Sequence, residues 1–218
     1  MQKSDYPRAH HLGSSHCTQH ESIQVPFFFS FKTLGFFSSS IPLPSSPFNL
    51  SNSCSNTRIE DCYIVSDDDC IAIKSGWDQY GIKFGMLTED LVILQLSYIS
   101  PDSAGIALGS EMSGGICNVK IENVIAINKQ SAVRIKTARG RGGFVKDIFV
   151  RRMFLSTMKY VFWITRDYKL HADDKFDPST LTLIKNINYR DMVAENVNMS
   201  TIFAGFQEIH SRIFVLRM

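Results

Sequence analysis

Asp67, Asp68 and Asp69 stand side by side in the stretch VSDDDCIAIKSG, directly ahead of a short run of alternating apolar residues. Carboxylates this close repel each other when both are ionised, which favours a protonated acid beside an ionised neighbour. Hydrolysis of a glycosidic bond requires such an acid and such a base. Further along, VRIKT presents Arg134 and Lys136 on alternating positions. The planar fork of an arginine matches a carboxylate in two-point contact, which a lysine does not do. A carboxylate cluster with a paired cationic clamp points to an enzyme acting on an acidic sugar polymer.

These groups need a scaffold that brings distant segments to one face, and the chain repeats itself in a way that supplies one. From about Thr57, four segments end alike: CIAIKS at 70–75, GIALGS at 105–110, AVRIKT at 132–137 and YVFWIT at 160–165. Their anchors Ile71, Ile106, Val133 and Val161 lie 35, 27 and 28 residues apart. Each is preceded by a β-rich half, such as RIEDCYIV or VKIENVIAI, and a fifth half-unit, INYRDMVAENVNM, follows. Periods of this size without an amphipathic helix predict an all-β fold, a stacked parallel β-helix. The longer first interval holds GWDQYGIKFGMLTED, expected to be a loop.

Alternation along a strand then assigns faces. Ile71/Ile73, Ile106/Leu108, Val133/Ile135 and Val161/Trp163 are expected to point inward as two core ladders. The outward set is Ala72/Lys74, Ala107/Gly109, Arg134/Lys136 and Phe162/Ile164. Small residues on two coils would leave an open floor, bounded on the next coil by two cations. That is a shallow groove for an extended anionic chain. Two cations alone read as a solvated outer face; their place two coils from the triple aspartate favours the groove.

Composition excludes other classes. The net charge of +2 and the absence of a basic block with interleaved aromatics argue against nucleic acid. Cys17, Cys54, Cys62, Cys70 and Cys117 lack zinc-ligand spacing; Cys62 and Cys70 are read as a stack, a disulfide or simply buried apolar residues. Residues 1–50 carry neither the period of the rest nor the basic flank and apolar core of a secretory signal, and no segment there is long enough to span a bilayer. His10, His11, His16, Cys17 and His20 have no ordered scaffold around them to make a metal site. This stretch is read as a disordered leader, 51–199 as the β-helix domain and 200–218 as a divergent tail.

At this point the chain resembles glycoside hydrolase family 28, the polygalacturonases and their relatives, particularly the plant polygalacturonase-like branch. The residues that carry the resemblance are NSCSNTRIEDCYIVSDDDCIAIKSGWDQYGIKFGM, ISPDSAGIALGSEMSGGI and SAVRIKTARGRGGFVKDI. The resemblance implies a right-handed parallel β-helix, secretion to the cell wall, and inverting hydrolysis of galacturonan in pectin. It implies no metal or other cofactor, an acidic polysaccharide as partner, no nucleic acid or membrane, and a monomer. Asp68 then matches the general acid and Asp69 a carboxylate that orients the attacking water. Arg134 and Lys136 match the substrate-binding Arg-Ile-Lys motif, and Tyr168 the groove tyrosine. For both aspartates to face the groove, the chain must bend between Asp69 and Ile71.

The departures are equally specific. Asp67 stands where the family usually has glycine, adding a third charge to the cluster. The family's Asn-Thr-Asp motif would fall on Ser45-Ser46-Pro47, so one catalytic carboxylate has no match. Its Gly-His-Gly motif falls on Ser103-Ala104-Gly105, without the histidine. The coils expected at either end are not recognisable, so the chain reads as a fragment incomplete at both ends, with impaired activity. Two alternatives stay open: a non-catalytic remnant that binds acidic polysaccharide, and a calcium-dependent pectate lyase.

Overall fold

The computed structural model describes residues 53–99, 103–168 and 170–205, and the backbone of four short strands outside them. In chain order the elements are β1 (Ser22–Gln24), β2 (Phe29–Ser30), β3 (Phe48–Leu50), β4 (Arg58–Glu60), β5 (Tyr63–Val65), β6 (Ile71–Ile73), α1 (Asp78–Phe84), β7 (Thr88–Ile99), β8 (Ala104–Gly109), β9 (Ile116–Lys136), β10 (Phe144–Thr165), β11 (Leu183–Ala204) and β12 (Phe214–Arg217). Every pairing between these strands is parallel. The chain winds as the expected right-handed parallel β-helix.

β9, β10 and β11 run for 21, 22 and 22 residues because each passes round three sides of a coil without losing its pairing. The bends are single residues in left-handed backbone, stacked in columns by the register. One column is Asn56, Asp90, Asn118, Asp147 and Asn186; the next is Asp61, Gln95, Asn123, Arg152 and Asp191. A third holds Asn128, Thr157 and Asn196. Asn and Asp dominate because their short polar side chains tolerate a positive φ and bond locally. Asn186 Nδ2 donates to Asp147 Oδ1 at 2.6 Å, and Asn118 bonds Asp90 in the same way, so two corners of this column are tied to their neighbours.

Between the corners, alternate residues point inward. Ile71, Ile106 and Val133 stack as expected, as do Ile73, Leu108 and Ile135, each at most 1% exposed. The fourth rung differs. Val133 pairs with Phe162, so the interval is 29 residues and Phe162 and Ile164 face the core. Trp163 takes the outward phase, while Val161, out of register with Val133, stays buried. A slip of one residue exchanges the two faces of a strand, and here the corners decide it: Asn118, Asn123 and Asn128 pair with residues 29 positions on, and the face between them must follow. Phe162 inward stacks on Tyr189, ring centroids 3.6 Å apart.

Other expectations are also modified. The GWDQYG insertion is not a plain loop but carries α1, closed by Gly85 at φ 65°, whose N–H bonds the Gly81 carbonyl. Ala72 and Ala107 are buried, so the floor is covered and not open. An alanine methyl stands too low to reach the surface between longer side chains. Cys54, Cys62, Cys70 and Cys117 are buried and, among the described residues, form no disulfide; Cys17 lies outside the described residues. β11 continues to Ala204, past the expected end of the repeat at Met199. The disordered-leader reading of 1–50 falls on residues outside those described, apart from β1, β2 and β3, which pair with β4, β5 and β6.

The face formed by β6, β8 and residues 131–136, 160–165 and 199–204 carries the sequence-predicted site. Gly109 on it has φ 93°, and a Cβ there would run into the Lys136 carbonyl oxygen on the next rung. Gly109→Ala is expected to lower stability by more than about 1 kcal/mol, since both the backbone and the space oppose it. A urea midpoint unchanged by the substitution would show that this rung is free to move.

Candidate active site

Residues 66–70 form an irregular turn ahead of β6, which begins at Ile71. The chain bends at Cys70, between Asp69 and Ile71. Asp68 N donates to Ser66 Oγ at 3.2 Å, and Asp69 N donates to Asp68 Oδ1 at 2.7 Å. Asp67 and Asp68 are exposed, whereas Asp69 is 5% exposed. The neighbours are thus placed in different environments by one short turn.

Asp69 is held from three directions. Its Oδ1 accepts from Ser103 Oγ at 2.6 Å and Ala104 N at 3.1 Å. Its Oδ2 accepts from Lys136 Nζ at 2.5 Å, across 67 residues of chain. Both charged side chains are under a tenth exposed, so neither can lose the other cheaply. Lys136, read from sequence as a substrate clamp, is engaged with Asp69. Ser103 and the Ala104 amide, which the sequence reading treated only as lost family residues, serve the carboxylate.

Under the same turn lies a second cation. Lys129 is buried, with its ammonium 3.4 Å from the Asp68 carbonyl oxygen and 5.7 Å from the Tyr98 ring centroid. Burial pulls this ammonium below the ordinary lysine value and pushes the adjacent Cys70 thiol up to about 11. The thiol is therefore protonated at neutral pH and is no nucleophile.

Arg134 stands two positions before Lys136 on the same outward row, half-buried. Its guanidinium lies 3.6 Å from the Trp163 ring centroid and 5.9 Å from that of Tyr168. Lys136 Nζ is 5.7 Å from the same tyrosine ring. Burial lowers the Arg134 pKa, and the charge of Asp69 opposes that shift. The structure therefore gathers Asp69, Arg134, Lys136 and Tyr168, with Asp68 beside them on the exposed side of the turn.

Loops leaving the C-terminal ends of these strands build a wall that sequence reasoning missed. Arg141, 0% exposed, donates from Nη1 to Asp78 Oδ1 and from Nη2 to the Leu170 carbonyl, both at 2.6 Å. Asp78 Oδ2 accepts from Ala172 N at 3.0 Å and lies 3.2 Å from His171 Nδ1. Tyr80 and Gln79 of α1 add bonds to Asp173 at 2.5 and 2.9 Å. The one available signal was the glycine density of ARGRGG around Arg141, which marks backbone packed too closely for side chains. Gly140 and Gly142 indeed abut Phe176 and Ile82.

Comparison with known proteins gives the family and the fold. The model of "Glycosyl hydrolases family 28" matches residues 46–204. A probable polygalacturonase of Vitis vinifera is 62% identical over 154 residues, covering 71% of this chain and 31% of the relative. A probable endopolygalacturonase of Neosartorya fischeri is 29% identical over 152 residues, covering 67% of this chain and 34% of the relative. The crystal structure of a hyperthermoactive exopolygalacturonase from Thermotoga maritima superposes with a TM-score of 0.52 at 24% identity, over 75% of this chain and 45% of that one. The chain spans about a third of the length of the curated relatives it matches.

Proposed function

The chain belongs to glycosyl hydrolases family 28, and from that premise we propose that it acts on pectin, hydrolysing α-1,4-galacturonosyl bonds of polygalacturonan with inversion. The observation that carries this reading is Asp69. It is a carboxylate locked by Lys136, Ser103 and Ala104 immediately beside the exposed Asp68, with the Arg134 guanidinium on the same face. An inverting glycosidase needs an acid for the leaving oxygen and an ionised carboxylate for the attacking water. Asp68, open to solvent, acts as the acid. Asp69, held by a buried cation and two further donors, orients the water. Arg134 meets the uronate carboxylate of the sugar, and Tyr168 borders its place. Lys136 acts chiefly by fixing Asp69.

Residues 51–199 carry this site as one β-helical domain, working outside the cell or in the cell wall as a monomer without a cofactor. The third carboxylate that the resemblance calls for has no counterpart at Ser45-Ser46-Pro47. Water activation is therefore weakened. General-base assistance commonly contributes about 10²–10⁴-fold, so turnover is expected at least about a hundredfold below that of a relative with all three carboxylates. That missing group also favours a second reading, a chain that binds polygalacturonate without turning it over.

Reducing-end release from polygalacturonate, run beside affinity electrophoresis in the same polymer, tests both. The expected result is retarded migration that weakens with added salt as the Arg134 contact is screened, together with slow hydrolysis. Retardation without any product would leave the binding reading. Neither retardation nor product would overturn the substrate class.

A further inference from the structure

Trp163 belongs to the outward row that the corrected register creates: Ala72, Ala107, Arg134, Trp163 and Ile202 on successive rungs. The Arg134 guanidinium carbon lies 3.6 Å from the centre of the indole ring. A separation that short is one of stacked faces, because an edge-on guanidinium would hold its carbon farther away. Tyr160 packs against the indole at 5.1 Å with planes at 63°, bracing the ring from its edge. On the other flank of Arg134 stands Ala107, which offers no group that could orient it.

The partners of the two neighbouring cations differ in kind. Lys136 spends its charge on Asp69 at 2.5 Å. Among the described residues, Arg134 makes no ion pair within 4 Å; its side-chain hydrogen bond is to Gln130 Oε1 at 3.4 Å, and its buried Nε has no partner. Stacking occupies the π face of a guanidinium and leaves its in-plane N–H donors available. A carboxylate in the place of Trp163 would orient the arginine equally well, but it would also consume those donors and repel an anionic ligand.

We propose that Trp163 is the positioning residue for Arg134, holding its guanidinium by stacking so that the in-plane donors meet the carboxylate of a uronate sugar. The inference rests on the polygalacturonan reading above and adds to it the device that keeps the anion-binding fork aimed and, among the described residues, clear of any carboxylate within 4 Å. The neutral methyl ester of the same sugar gains little from that fork. Trp163 therefore sets preference for the free acid as well as affinity.

The test is a double-mutant cycle on oligogalacturonate affinity, measured by calorimetry in an Asp68→Asn background that stops turnover. Trp163→Leu is expected to weaken binding about threefold to thirtyfold, the span of a half-buried cation–π contact. Trp163→Phe, which keeps a π face, is expected to recover most of that loss. In an Arg134→Leu background, Trp163→Leu is expected to change affinity less than twofold, since the tryptophan acts through the arginine. Preference for the free acid over the methyl ester falls in step. Equal losses in both arginine backgrounds, or no rescue by Phe, would overturn the positioning role and leave Trp163 as packing. Wild-type binding with Trp163→Leu unaffected would also overturn it, without touching the substrate reading. Absence of binding by the unmodified chain would instead sink that reading and the proposal with it.

Discussion

Asp68→Asn is expected to reduce release of reducing ends from polygalacturonate by about 10²–10⁴-fold relative to the unmodified chain. The substitution removes the proton donor and the smaller of the two aspartate charges that raise the pKa of the buried Lys129 ammonium, the larger being that of Asp69. Asp68 Oδ1 accepts the Asp69 N–H at 2.7 Å, and the carbonyl oxygen of asparagine accepts the same bond, so the turn is kept. Oligogalacturonate affinity and the urea midpoint should therefore remain close to those of the parent. Asp69→Asn provides the contrast. It leaves the buried Lys136 ammonium without its counter-charge, so stability should fall together with activity. Breaking a buried pair from one side commonly costs about 3–5 kcal/mol. Hydrolysis that survives Asp68→Asn unchanged would show that the acid lies elsewhere. Loss of affinity in proportion to loss of rate would show that Asp68 serves binding.

The second large effect is expected outside the proposed catalytic residues, in the wall built by the loops. Arg141 and Asp78 are both 0% exposed, and together they join α1, the 137–143 turn and the 170–172 segment. Burial pulls the Arg141 guanidinium below its ordinary value, and the Asp78 charge opposes that shift. Arg141→Leu leaves a buried aspartate facing His171 and one backbone amide. A loss of about 3–5 kcal/mol is expected, read as a lowered urea midpoint, with new protease cleavage near α1 as the wall loosens. Arg141→Lys should recover only part of it, because an ammonium cannot span the Asp78 carboxylate and the Leu170 carbonyl as the planar fork does. A midpoint within about 1 kcal/mol of the parent would mean that the three loops are held by apolar contacts and that the ion pair is incidental.

The two expectations differ in how far they could be seen without coordinates. The carboxylates and the Arg-Ile-Lys run were visible as residue types on recurring segments, and the structure brings Asp69 and Lys136 into contact across 67 residues. The Asp78–Arg141 pair was not visible. Neither residue lies on the repeated strands, and a loop residue acquires a partner only when the rungs beneath it set how far apart two loops stand. The corner residues were legible in principle, as Asn or Asp recurring five positions apart in ICNVKIENVIAIN, but Gln95, Arg152 and Thr157 break the pattern by residue type while keeping the same backbone.

By itself the sequence determined that apolar pairs recur at coil-length intervals, that these must stack as parallel rungs, and that the aspartates and cations lie on or beside the repeated segments. Those are local properties, since alternation and turn chemistry act over a few residues. Only the tertiary structure decided that Phe162 and not Val161 follows Val133, that Trp163 therefore faces Arg134, and that Lys136 is bound to Asp69. Each of these depends on the summed length of every corner and loop between two rungs. A change of one residue in that sum turns a strand over and exchanges the residue that lines the core for the one that lines the site.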